Sequence, residues 1–251
     1  MNSMAENWRS AGVRRGDTLL VHSDIRRTLM TNKCTPKDVL DSLLEAIGSE
    51  GTLLLPLFNF GFCHGEPFDI RNTPSQMGSL TEAGRLYPGS VRSGHPVYSF
   101  CAIGWNAWLY SVDNRHGLGV GSPFDLLHTC DGRIAVIDLP DQHSMTFYHH
   151  VEDMMQAPYR YSKTFAGNYT DWDGVTSRRE YEIYVRDLSR GIRTDLARAE
   201  MIAWGKGHYR GKRPHTGHGM RTVKARKLFS FAANIINNNF HFPHVRLHNE
   251  G

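Results

Sequence analysis

The sequence is short of cysteine. Its four residues, Cys34, Cys63, Cys101 and Cys130, are far apart and form no Cys-x-x-Cys pair. That spacing excludes a disulfide frame and a thiolate zinc knuckle, and fits free thiols in a reducing cytoplasm. No apolar run approaches the ~20 residues that span a bilayer, so no membrane partner is expected. The start, Met1-Asn-Ser-Met-Ala-Glu-Asn-Trp8, lacks the basic-then-apolar order of a secretory signal, and a cytoplasmic location is the expectation. No Gly-x-Ser-x-Gly occurs, which argues against a serine nucleophile on a strained elbow. Internal repeats and low-complexity stretches are absent as well. Between Glu200 and Glu250 there is no acidic residue, yet that interval holds nine Lys and Arg. The whole chain carries only +4, so the first two hundred residues are acidic on balance. A basic lobe on an acidic body points to an anionic ligand such as phosphate or nucleic acid, with a merely solvated basic face as the plain alternative.

What is present reads as an ordinary globular chain. Of the 251 residues, 40% are apolar and 22% charged, enough for a full core in one large domain. Asn7 to Gly12 ends a short N-terminal helix within residues 1–12. Asp17-Thr-Leu-Leu-Val-His22, Thr52-Leu-Leu-Leu-Pro56, Tyr98 to Ile103 and Arg133 to Leu139 read as buried strands. Thr35-Pro36 opens a helix that stops at Gly48, because threonine caps and proline suits the first helical position. Helices are also predicted over Met77–Tyr87, Pro123–Cys130, Asp195–Trp204 and Thr222–Asn237, with a long ordered loop over Asn59–Pro74 and a further strand near Glu180–Val185. Strands alternating with helices give an α/β class, a single domain over 1–251 with one central sheet covered on both sides. The polar, histidine-rich stretch 238–251 reads as a poorly ordered tail.

One segment stands out for chemistry. Thr146, His149 and Glu152 recur at intervals of three, which on a helix puts hydroxyl, imidazole and carboxylate on one stripe. A neutral imidazole can take a proton, and a carboxylate can fix its tautomer. The bland reading is a packed helix with a satisfied histidine. Four other stretches carry small polar groups at strand or helix ends: Val21-His-Ser-Asp24, Phe68 to Gly78, Arg92-Ser-Gly-His-Pro-Val-Tyr-Ser99, and Gly119-Val-Gly-Ser-Pro-Phe-Asp125. Open α/β sheets bind ligands at the carboxyl ends of their strands, and a helix start such as Ser122-Pro123 leaves N–H groups for an anion or carbonyl.

Taken together and in order, these segments resemble the aminoglycoside 3-N-acetyltransferase family, the non-GNAT antibiotic acetyltransferase type. The resemblance runs from about Trp8 to about Phe231. Its most specific part is Arg92-Ser-x-His-Pro-x-x-Ser99, followed by Gly121-Ser-Pro-Phe124 and then Thr146-x-x-His149-x-x-Glu152. The resemblance implies a single-domain α/β/α sandwich with a central mixed sheet, using acetyl-coenzyme A as cosubstrate and no metal. It implies direct acetyl transfer to a primary amine of an amino sugar. His149 would be the general base, Glu152 would orient it, and Thr146 would lie near the thioester. Ser23, Asp24, Arg92, Ser93, His95, Ser99, Gly121 and Ser122 would form the coenzyme side.

The sequence departs from the drug-modifying enzymes at Asp138-Leu-Pro-Asp-Gln-His-Ser144, where they carry a Gly-rich turn. His143 stands where they tend to have an aspartate. This leaves the acceptor more open than the donor. The basic C-terminal third suggests an acceptor carrying negative charge, such as a nucleotide-linked amino sugar, because polycationic drugs favour acidic clefts. A true antibiotic-resistance 3-N-acetyltransferase is the alternative, and a non-catalytic sugar- or anion-binding relative is the reading from another class. A metal site from His143, His208, His215 and His218 lacks thiolate partners. Nucleic-acid binding through Lys206–Lys227 lacks a recognised motif. A homodimer is compatible with the sequence. His22 reads as a core residue, His95 as a structural corner before Pro96, and His150 as a packing or surface residue.

Overall fold

The computed structural model describes residues 3–212, 219–238 and 245–247. Twelve strands occur among these residues: β1 Thr18–Ser23, β2 Thr52–Pro56, β3 Phe68–Asp69, β4 Val91–Arg92, β5 Phe100–Gly104, β6 Arg133–Ile137, β7 Arg160–Thr170, β8 Thr176–Arg186, β9 Ile192–Thr194, β10 Arg210–Gly211, β11 Met220–Lys224 and β12 Val245–Leu247. The α-helices are α1 Met4–Ser10, α2 Arg26–Asn32, α3 Pro36–Ile47, α4 Ser79–Arg85, α5 Pro123–Thr129, α6 Phe147–Met154, α7 Leu196–Gly205 and α8 Ala225–Asn238. No helix among the described residues is long and apolar enough to cross a membrane.

The central sheet has seven strands in the order β10-β11-β6-β1-β2-β5-β4. β1 pairs in parallel with β2 and β6, while β5 and β11 add antiparallel neighbours. The sheet is therefore mixed, as expected from the sequence. Its apolar runs are buried on both faces, because successive side chains point to opposite sides. Leu19 and Val21 face one cluster with Leu53, Leu55, Ala135 and Ile137. That layer is closed by Ala5 and Trp8 of α1, Leu40 and Leu43 of α3 and Leu80 of α4. Leu20, Leu54 and Val136 face the other cluster, with Phe124 of α5, Phe147 and Val151 of α6, Ala199 of α7 and Leu228 of α8. The three layers match the α/β/α expectation.

Local signals hold where the sequence spelled them out. Thr35 and Asp38 form a reciprocal capping box at the start of α3, and Pro36 follows directly. Three expectations need correction. Thr222–Lys224 belongs to strand β11, and the helix begins only at Ala225, because this segment pairs along β6 from Met220–Ile137 to Lys224–Arg133. The loop at 59–74 contains a 3-10 turn at Gly61–His64 and the short strand β3. The segment preceding β8, unassigned from sequence, is the eleven-residue strand β7, which pairs with β8 along its whole length and with β3 at its end. Of the 238–251 tail, only 238 and 245–247 lie among the described residues, and Val245–Leu247 pairs with β9.

Candidate active site

β6 ends at Ile137, beside Ser23 of β1. Asp24 N–H donates to the Ile137 carbonyl at 2.9 Å, which holds the two carboxyl ends together. Asp138 follows with a positive φ of 52°, and its Oδ1 accepts from Gly219 N at 2.6 Å. The chain then passes through a 3-10 turn at Asp141–His143 into α6. Asp141 is fully buried, paired with Arg221 at 2.5 Å and with the Tyr209 hydroxyl, and its backbone N–H donates to Glu200 Oε2 at 3.0 Å. Burial outweighs these partners and pushes the Asp141 carboxyl up to about 6. This departing turn is therefore pinned from its inner side, while His143 stays exposed.

α6 presents Phe147, Tyr148 and Val151 to the core and leaves the His149 side chain 25% exposed. Thr146 stands just before the first turn, partly buried, and its carbonyl accepts from His149 N at 2.8 Å. Glu152 is buried one turn below His149. Its Oε2 lies 2.9 Å from His149 Nδ1 and 2.5 Å from an Arg160 terminal nitrogen, and its Oε1 accepts from Tyr159 Oη at 3.0 Å. Arg160 is itself held by donation to the Tyr184 carbonyl at 2.9 Å.

Arg160 also approaches His149 Nδ1 to 2.7 Å. Nδ1 holds either a proton for Glu152 or a lone pair for Arg160, not both. With Nδ1–H on Glu152, the Nε2 lone pair is left without a protein partner among the described residues. Burial and the Arg160 charge, in that order, lower the His149 pKa, and Glu152 only partly offsets them. The imidazole is thus neutral near pH 7 and can accept a proton.

The predicted coenzyme-side residues divide in two. Ser23, Asp24 and Gly121 are at least partly accessible, although the Asp24 carboxylate is bound by Arg26 Nε at 2.9 Å. The side chains of Arg92, Ser93, His95, Ser99 and Ser122 are all closed off from solvent. Arg92 donates to Ser99 Oγ at 3.1 Å and to the carbonyls of Ile70 and Thr73 at 3.2 and 2.6 Å. Ser93 Oγ accepts from Phe100 N at 2.9 Å, and His95 Nδ1 accepts from Val97 and Tyr98 N–H groups. Ser122 caps α5 by accepting from Asp125 N. These side chains shape the loops from within, so any contact they give a ligand would come through the main chain they fix. Tyr98 ends that loop within electrostatic reach of Arg160 and Glu152, which brings the loop toward His149.

Sequence reasoning missed Tyr159 and Arg160, which lie just before and at the start of a strand it did not recognise. It also missed the pairing of Asp141 with Arg221. Of the histidines considered for metal, His208 is partly buried beside Lys206 and Lys227, His143 is exposed, and His215 and His218 lie outside the described residues. Within the basic segment Arg221 is buried and paired, while Arg226 and Lys227 stay exposed, their cationic groups donating to main-chain carbonyls. Arg221 pairs with Asp141, Lys224 Nζ donates to the Asp131 carbonyl at 2.9 Å, Arg226 N donates to Asp131 Oδ1 at 3.1 Å, and Lys227 Nζ donates to the Gly207 carbonyl at 3.0 Å. Lys224–Lys227 also sits at the amino end of β6, opposite the end that carries Asp24 and Asp138.

The sequence pattern of the aminoglycoside 3-N-acetyltransferase family matches residues 20–236. The chain belongs to that family. Membership makes it an N-acetyltransferase. Among similar proteins is aminoglycoside N(3)-acetyltransferase VIII of Streptomyces fradiae, 29% identical over 208 residues, covering 72% of this chain and 69% of that protein. The crystal structure of the aminoglycoside acetyltransferase AAC(3)-Xa superposes with a TM-score of 0.78 at 25% identity, covering 94% of this chain and 92% of that one. The AAC-IIIb structure, described as binary with CoASH, gives a TM-score of 0.76 at 23% identity over 95% of this chain and 96% of that one.

Proposed function

We propose that this chain transfers an acetyl group from acetyl-coenzyme A directly to a primary amine of an aminoglycoside-type amino sugar, with His149 as general base. The observation that carries the reading is the neutral, partly exposed imidazole of His149 set on a buried carboxylate that Arg160 and Tyr159 hold in place. An ammonium has no lone pair, so the acceptor must lose a proton before or during attack. That first proton passes to solvent; as the free amine nitrogen bonds to the thioester carbon and the carbonyl electrons move onto oxygen, Nε2 takes a second N–H proton. When the oxyanion collapses, the C–S bond breaks and coenzyme A leaves as thiolate, which the proton on His149 can neutralise. N–H groups at strand or helix ends are suitable donors to the oxyanion. Glu152 fixes the imidazole and stabilises its transient cation.

For the donor, the reading rests on the family and on the description of AAC-IIIb with coenzyme A. A cleft of about 510 Å³ lies between α1, α2 and the β10–β11 edge, just past the carboxyl end of β6, lined by Trp8, Arg27, Thr28, Asp138, Lys212 and Gly219; none of the coenzyme-side residues read from the sequence lines it. Arg27 and Lys212 suit the coenzyme phosphates there.

For the acceptor, the exposed cations Lys206, Arg226 and Lys227 gather at the amino end of β6, opposite the end that carries Asp24 and Asp138, which weakens the case they make for an anionic sugar. Asp153 stands one turn from His149 on α6, within electrostatic reach of Arg160 and of Glu182, and these carboxylates suit a cationic sugar better. A thiol-release assay with acetyl-coenzyme A tests this against a panel of aminoglycosides and nucleotide-linked amino sugars. Turnover of the aminoglycosides is expected; turnover of the nucleotide sugars alone would reverse the acceptor assignment.

A further inference from the structure

We propose that Asp125, His128 and His150 form a site for one divalent transition-metal ion of the zinc type, on the side of α6 turned away from the acyl-transfer chemistry. Asp125 and His128 are one turn apart on α5, and His150 reaches them from α6. One ligand atom from each comes within 4.8 Å of the others. His150 is the group that makes this more than a surface cluster. Its ring is fully buried, and Nδ1 lies 2.7 Å from the Leu118 carbonyl. A carbonyl only accepts, so Nδ1 carries the hydrogen and Nε2 presents a lone pair. That Nε2 is buried and, among the described residues, has no hydrogen-bond partner. Imidazoles that bind metals are commonly set in this way, with the other ring nitrogen donating to a carbonyl that fixes tautomer and orientation.

The surroundings fit an ion held on one side and open on the other. Phe124 and Phe147 pack beside the His150 ring, and Phe229 stacks on His128 with centroids 4.0 Å apart. Asp125 and His128 are only partly buried, which leaves room for a water as fourth ligand. Around a tetrahedral zinc ion with bonds of ~2.0–2.1 Å, ligand atoms lie about 3.4 Å apart. Closing the difference falls to Asp125, which would turn an oxygen from Gly121 N at 2.9 Å, and to His128, while His150 stays fixed. Two imidazoles and one carboxylate favour zinc, cobalt or nickel over magnesium or calcium, which prefer all-oxygen sites.

His150 follows His149 in the chain but points about 100° away around the helix. The ion is therefore structural. It would fasten α5 and the Leu118 loop to the helix that carries the base. Calorimetric titration of zinc chloride into the metal-stripped full chain tests this, together with thermal unfolding and the visible spectrum of the cobalt-loaded protein. One zinc per chain, a raised Tm and tetrahedral cobalt bands are expected, with no such response to magnesium. His128→Gln and Asp125→Asn, both at partly exposed positions, should fold normally, keep metal-free turnover and weaken zinc binding at least tenfold. Absence of zinc binding would overturn the proposal. So would equal affinity in His128→Gln, which would move the ion to other groups such as His241, His244 and His248 of the terminal segment.

Discussion

Two buried carboxylates, each gripped by an arginine and a tyrosine, lie on either side of the start of α6, and they differ in one respect. Glu152 is held by Arg160 and Tyr159, and its remaining reach goes to His149, a quarter exposed. Asp141 is held by Arg221 and Tyr209, and its further partner is the Glu200 carboxylate, received through its own backbone N–H. The same set of groups thus does two different things. Around Glu152 it steadies an imidazole that solvent and substrate can reach. Around Asp141 it fastens an unusual turn to β11 and α7, and the groups bound to that carboxylate and its N–H are Arg221, Tyr209 and Glu200, with no imidazole among them. Buried ion pairs are weak evidence of function by themselves; access to a titratable neighbour separates these two.

The largest test of that contrast is His149→Ala. General-base catalysis contributes ~10²–10⁴-fold, so kcat in the thiol-release assay should fall by about that factor while Tm changes little. Turnover at the parent rate would remove His149 from the reaction. Next come the paired variants Glu152→Gln and Asp141→Asn. Glu152→Gln leaves Arg160 buried without its paired carboxylate, a loss of ~3–5 kcal/mol when a buried pair is broken, whereas Arg221 keeps Glu200 Oε1 at 3.7 Å in Asp141→Asn, so both should lower the midpoint of denaturant unfolding, the second by less. They should part in kinetics. A charge-assisted hydrogen bond is worth ~1.5–3 kcal/mol, so Glu152→Gln should reduce turnover per folded molecule by roughly tenfold to a hundredfold, and Asp141→Asn should leave it near parent. Equal kinetic losses would mean that the contrast drawn here is false.

Acid unfolding gives a smaller and opposite-signed comparison. His22 and His95 are buried, and burial lowers both to about 3 from 6.5. Between those values the unfolded chain binds more protons, so their contribution to stability is present above 6.5 and is lost as pH falls toward 3. Asp141 runs the other way. Its folded value near 6 lies above its ordinary 3.8, so the native state binds the extra proton, and stability from this group is present below 3.8 and lost as pH rises through 6. The two larger histidine shifts predict a Tm that falls on acidification below about 6.5. Asp141→Asn should show a steeper fall because one opposing group is gone, while Asp153, also raised to about 6, remains. A shallower fall in that variant would contradict the assignment.

The sequence made part of this contrast legible. The apolar runs Leu19–Val21 and Ile134–Ile137 and the Thr35 cap announce their elements locally. The spacing of His149 and Glu152 needs only one helical turn to bring them together. Arg160 was not visible because β7 has a largely exposed burial pattern and an apolar face too sparse to mark a strand. Its register comes from β8, which is a tertiary choice. Arg221 lies eighty positions from Asp141, and nothing local selects that partner. Thr222–Lys224 can continue into a helix or stand as a strand, and only the free edge of β6 decides. The loop Arg92–Ser99 was legible as a motif, but its side chains face inward, a direction that spacing does not report.

The smallest expected effect concerns the two basic ends of the sheet. Lys206, Lys224, Arg226 and Lys227 gather at the amino end of β6, around an open depression of about 590 Å³. Arg27 and Lys212 line the cleft at the carboxyl end. Sequence composition alone could not tell them apart, since all add the same charge. Position does, because ligands of open α/β sheets lie beyond the carboxyl ends of the strands. Arg27→Ala should therefore raise the KM for acetyl-coenzyme A severalfold with kcat nearly unchanged, an effect that added salt diminishes, since exposed charge interactions are screened over ~10 Å at 0.1 M. Lys227→Ala should leave that KM within a factor of about two, because exposed charges away from a ligand contribute little. A rise in KM for Lys227→Ala with none for Arg27→Ala would move the coenzyme phosphates to the opposite end of the sheet.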